Sequence, residues 1–172
     1  MMRNKPSRRT LLLGSIAALP VLAGAQRAAA QTPKPPKANA EDATYAGEIV
    51  LMVASVEIAS NALNTAIQDW NKNAALRARK KWQDDYVANI VRIQEQVSSI
   101  FRLDFSDKAA SAHAYYLRYA RYMELSCDFY AKIFDFGSLR GQTDNVNELV
   151  SRIKLARFNL SIANDKRDQI FP

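Results

Sequence analysis

The chain has 172 residues and a formal charge of +7, from 24 Lys and Arg against 17 Asp and Glu. Five of those basic residues, Arg3, Lys5, Arg8, Arg9 and Arg27, lie within the first 30 positions, so the rest is close to neutral and lacks the strongly basic face that nucleic acid requires. One cysteine and one histidine exclude an internal disulfide and a histidine-rich metal site.

Residues 1 to 30 fall into the three zones of an export signal. Arg3, Lys5, Arg8 and Arg9 form a basic region. Leu11 to Leu22 is apolar but interrupted by Gly14, Ser15 and Pro20. That is short of the about 20 apolar residues a spanning helix needs, so no transmembrane segment is expected after processing. Ala23-Gly24-Ala25 and Ala28-Ala29-Ala30 both offer the small side chains a signal peptidase accepts, and cleavage is expected after Ala30. The stretch Ser7-Arg8-Arg9-Thr10-Leu11-Leu12-Leu13 resembles the twin-arginine signal, whose usual form is S-R-R-x-F-L-K. Ser7, Arg8, Arg9 and Leu12 match, whereas Leu11 stands for Phe and Leu13 for Lys. The resemblance covers this segment alone. It implies the twin-arginine translocation machinery as a partner and the bacterial periplasm as the destination, with export in a folded state; the alternative is an ordinary secretory signal.

Gln31 to Ala40 holds Pro33, Pro35 and Pro36, which favour extended backbone and predict a flexible linker over 31–40. Beyond it lies a single domain, 41–172, large enough to bury roughly two-thirds of its surface without a staple. No proline occurs between Pro36 and Pro172, and glycine occurs only at 47, 137 and 141. A β-rich domain needs many more turn residues, so the domain is predicted to be all-α.

The spacing of apolar residues by three and four predicts four helices. The first spans about Glu41 to Trp70, with Ile49, Met52, Val56, Ala59, Leu63, Ala66 and Trp70 on one face. The second spans about Ala74 to Leu103, capped by Asn73, with Trp82, Tyr86, Ile90, Ile93, Val97 and Ile100. The third spans about Asp107 to Phe136, capped by Ser106 and closed by Gly137, with Ala109, Ala112, Tyr116, Tyr119, Met123, Ser126, Tyr130 and Ile133. The fourth opens on a capping box of Asn145 and Glu148. Its stripe is Val146, Leu149, Ile153, Ala156, Leu160, Ala163 and Ile170, interrupted by Arg167. Similar lengths and short connections predict an up-down-up-down antiparallel four-helix bundle; a longer hairpin that dimerises is the alternative.

Most chemistry is closed to such a chain. It has no C-x-x-C-H haem attachment, no Glu-x-x-His pair for a di-iron site, no P-loop, no G-x-G-x-x-G and no G-x-S-x-G. Cys127 and His113 lie fourteen residues apart on one predicted helix, roughly 21 Å of rise. A nucleophile and its base must lie about 3 Å apart. No catalytic residue, metal ligand or resident cofactor is therefore predicted. His113 with Met52 is a weak candidate for non-covalent b-type haem, at comparable depths in two parallel helices. Asp84 and Asp85 come four residues after Lys80 and Lys81, and so read as helical ion pairs on a solvated face.

The third helix carries eight of the sixteen aromatic residues, more than one core face can hold. Tyr115, Arg118 and Tyr122 fall on a flank of it, with Arg121 beside them. Tyr and Arg dominate protein–protein hot spots. Tyr115, Arg118, Tyr119, Arg121 and Tyr122 are therefore the expected partner-binding set, with Tyr119 shared with the core stripe. The sequence thus predicts an exported, non-enzymatic accessory or binding protein for a periplasmic partner, or one that self-associates. The alternatives are a small-ligand or haem-like carrier with a pocket between helices and, last, an enzyme using carboxylates or tyrosines alone.

Overall fold

The structure, a computed structural model, describes residues 42–136 and 141–171. The expected export signal with Arg8, Arg9 and Ala30, the linker 31–40 and the Gly137 cap lie outside the described residues. The described residues form four α-helices and one 3-10 turn, with no strand among them: α1 Asp42–Lys72, the turn Ala74–Ala78, α2 Lys80–Arg102, α3 Ala110–Asp135 and α4 Thr143–Ile170. The class is all-α, as the missing proline and glycine require.

Each inner face keeps the expected rhythm, with local departures. On α1 the buried residues are Tyr45, Ile49, Val53, Val56, Ala59, Ser60, Leu63 and Trp70, while Met52 and Ala66 are half-buried. By length and composition α1 is also apolar enough to cross a membrane, because Val50, Leu51 and Ile58 add apolar side chains to its outer face. On α2, Tyr86, Ile90, Ile93, Val97 and Ile100 are buried. All eight expected residues of the third stripe are buried, joined by His113, Ala120, Cys127 and Phe134.

The helix starts differ from expectation for identifiable reasons. The second segment is not one helix from Ala74. Asn73 does cap its start, accepting from the Ala75 N–H at 3.1 Å, but the capped segment is a 3-10 turn that breaks at Arg79. Arg77 is drawn inward over the Trp70 and Phe134 rings and donates to the Phe134 carbonyl. The Gln83 side chain then satisfies the Arg77 carbonyl at 2.6 Å, so α2 restarts at Lys80. Ser106 accepts from the Ala109 N–H at 3.3 Å, and its hydroxyl donates to Asp42 at 2.6 Å, joining this loop to the start of α1. Regular α3 geometry begins only at Ala110. The capping box on α4 is absent. The helix starts at Thr143, so Asn145 lies inside it and donates to Gln142, while Glu148 pairs with Arg152. Gly141, at φ +82°, makes the left-handed turn into α4, a conformation that favours glycine.

Side-chain pairs give the helix directions. From α1 to α3 they advance together: Tyr45 meets His113, Glu57 meets Tyr119, and Asn64 meets Tyr130. From α1 to α4 they run oppositely, since Tyr45 meets Phe171 and Glu57 meets Arg157. Trp70, late in α1, packs edge-on against Trp82, early in α2, at 5.8 Å. The core lies between these four faces.

Ile93 is fully buried and Leu51 is 72% exposed. Ile93→Ala is expected to lower the unfolding free energy by about 2–5 kcal/mol, and Leu51→Ala to change it by less than about 0.5 kcal/mol, as read by urea denaturation.

Candidate functional site

The chemically capable side chains on the inner face of α3 are all committed to structure. The buried tyrosines end on acceptors from other helices. Tyr116 donates to Asn164 Oδ1 at 2.8 Å, Tyr119 to Glu57 Oε1 at 3.0 Å, and Tyr130 to Asn64 Oδ1 at 2.9 Å. Burial raises the pKa of all three above the ordinary tyrosine value, and the Glu57 carboxylate adds to this at Tyr119. These hydroxyls therefore stay protonated and act as donors. Arg157 completes the Tyr119 arrangement, donating to Glu57 at 3.1 Å and to Asn61 at 2.8 Å, so α3, α1 and α4 meet at one carboxylate. The Arg167 that interrupts the fourth stripe reaches the Tyr116 hydroxyl at 3.4 Å while pairing with Asp168.

His113 sits in the core. Its ring stacks on Phe105 at 4.2 Å between centroids, and Nδ1 shares a hydrogen bond with the Tyr45 hydroxyl at 3.2 Å. Burial lowers its pKa to about 4, so the imidazole is neutral at pH 7. Met52 lines an open groove of about 600 Å³ between the start of α1 and the end of α2, with Glu48, Ser99 and Arg102 among its walls. His113 is not one of those walls. Cys127 is buried, and burial pushes its thiol up, which disfavours the reactive thiolate. It shares the continuous helix α3 with His113, so the roughly 21 Å of rise between them holds and no dyad forms within one chain. No group of three or more His, Cys, Asp or Glu residues is placed to hold a metal among the described residues.

The outer flank of α3 is different. Tyr115 and Tyr122 are half-buried, and Arg118 and Arg121 are exposed. Arg118 lies over the Tyr115 ring at 4.8 Å, and Lys166 of α4 lies over the same ring at 5.6 Å. Phe129, one heptad beyond Tyr122, carries Lys132 over its ring at 4.9 Å. Arg121 is tied to Glu124, and so is not a free cation. Tyr119 does not belong to this flank. It is fully buried, because its position between Tyr116 and Met123 faces the core and Glu57 takes its hydroxyl. The sequence set therefore divides into Tyr115, Arg118, Arg121 and Tyr122 outside and Tyr119 inside. Sequence reasoning missed Phe129 and the whole contribution of α4. Heptad spacing from Tyr115 through Tyr122 to Phe129 was the available signal. At the start of α2, Lys80 pairs with Asp84 at 2.8 Å and Lys81 with Asp85 at 2.6 Å, as expected of a solvated helix face.

No protein-family model, curated protein or solved structure matches this chain.

The buried neutral imidazole gives stability a defined pH dependence. Between its folded pKa of about 4 and the ordinary value near 6.5, the unfolded chain binds a proton that the folded chain does not. The contribution is fully present above about pH 6.5 and is lost as pH falls towards 4, at most about 3 kcal/mol in all. Urea titrations across that window are expected to show the decline, and His113→Gln is expected to remove most of it.

Proposed function

We propose that the chain is an exported, non-enzymatic helical protein that binds a periplasmic partner through the outer flank of α3. The observation that carries this reading is the Tyr115 ring with two cations over it, Arg118 and Lys166, neither of which has a carboxylate partner among the described residues. Cations placed over rings at a surface contribute only about 0.5–1 kcal/mol each to the fold, little enough to leave them available to a partner. The His113 imidazole and the Tyr116, Tyr119 and Tyr130 hydroxyls, by contrast, are buried and already bonded. The twin-arginine resemblance at Arg8 and Arg9 supports a protein that folds before export. That route suits a subunit assembled with others, with the translocation machinery and signal peptidase as transient partners.

Two outcomes test this. Replacing Arg8 and Arg9 together by Lys is expected to leave an unprocessed precursor in the cytoplasm. The wild type is expected to appear in the periplasm with Gln31 as its first residue, read by fractionation and N-terminal sequencing. A photo-crosslinking residue at position 118 is expected to give one discrete adduct in cells, and one at Lys72 none. Adding Tyr115→Ala is expected to remove the adduct while shifting the melting temperature by less than about 4 °C. Equal adducts from both positions, or none from either, would refute the docking face.

A further inference from the structure

We infer that the seam between α3 and α4, not α3 alone, is the docking surface, and that its occupant is an acidic amphipathic helix of a partner protein. This rests on the docking role proposed above and extends it to a composite site and a stated chemistry.

The register between the two helices is set by their shared contacts. Tyr115 meets Lys166, Tyr116 meets Asn164, and Tyr119 and Arg157 meet at Glu57, so the numbers rise on α3 as they fall on α4. Continuing that register brings Tyr122 level with the turn Leu155–Phe158. On α3 the heptad series Tyr115, Tyr122 and Phe129 stays on the flank towards α4, because residues seven apart share a helix face. On α4, Leu155 and Ile162 are likewise seven apart and flank the same seam, with Phe158 between them. Phe158 is 64% exposed and Leu155 39%. The result is a strip of six apolar or aromatic side chains about 21 Å long, the rise of fourteen helical residues.

The strip has cationic edges. Arg118 and Lys166 stand at the Tyr115 end and Lys132 at the Phe129 end, each over a ring and none in an ion pair among the described residues; of the acids at heptad spacing from the strip, Glu148 is paired with Arg152 and Asp165 offsets only part of this charge. An apolar centre with unpaired cations at its ends is complementary to a helix bearing apolar residues at i, i+3, i+4 and i+7 with Glu or Asp on its flanks. A second copy of this face would bring like charges together, which disfavours self-association here. A lipid surface is the poorer match, because only Phe158 projects strongly. Tyr115, Tyr122, Phe129 and Ile162 are half-buried.

The test uses the processed protein and three probes: a synthetic amphipathic helix of Leu and Glu, about four turns long; the same helix with Lys for Glu; and vesicles of phosphatidylcholine with phosphatidylglycerol. Calorimetry is expected to show binding of the Glu helix that weakens with salt. It is expected to weaken roughly tenfold or more with Phe158→Ala, and likewise with the pair Arg118→Glu and Lys166→Glu. The Lys helix and the vesicles are expected not to bind. Melting temperatures of the variants near that of the wild type confirm that folding is intact; Leu155→Ser serves instead of Phe158→Ala should the latter unfold. The inference is overturned by equal binding of both peptides, by binding of neither, by indifference to the variants, or by vesicle binding that the same variants remove. If the inference fails while the adduct at position 118 persists, the docking role stands and only its partner chemistry is wrong. If both fail, the docking role falls too.

Discussion

The structure depends on tyrosine side chains of α3 that cross the core and end on polar atoms of α1 and α4. Tyr119 on Glu57, Tyr130 on Ser60 and Asn64, and Tyr116 on Asn164 set the three helices at one register, since sliding any of them would strand a buried hydroxyl. Each such bond adds only about 1 kcal/mol net when made, but leaving its partner unsatisfied costs about 1–3 kcal/mol. That asymmetry gives the bonds their specificity. A core of leucine alone would tolerate several registers; these hydroxyls tolerate one.

The same constraint limits what the α3 tyrosines can do. A hydroxyl that must donate to hold a register is not free to serve as a base or nucleophile. His113, stacked on Phe105 and bonded to Tyr45, completes this set at the start of α3, and its burial keeps it neutral. At the other end, Trp70, Trp82, Tyr86 and Phe134 pack together, and Arg77 closes over them. The side chains that α3 and α4 turn outward include rings, aliphatic groups and unpaired cations.

Much of this was legible from residue order, and the misses have local causes. The α3 stripe from Ala109 to Ile133 is buried as the spacing required, because long helices leave little choice of face. The capping box at Asn145 and Glu148 failed because several polar residues precede α4 and any of them could start it. The break at Arg79 was hidden because it depends on Trp70 and Phe134, which only folding brings to Arg77. Tyr119 was claimed by both core and surface. Its spacing permitted either, and Glu57, more than sixty residues away, decided the matter.

From its order of residues alone, the chain determined its helical class, its four segments and the faces those segments bury. Proline, glycine and the three-and-four spacing act within a few residues and need no tertiary partner. Folding decided which acceptor each tyrosine meets, that His113 is bonded to Tyr45 in the core, and that Lys166 of α4 lies over Tyr115 of α3. Those outcomes depend on which helices become neighbours and at what register, and that is settled by contacts between residues distant in the chain.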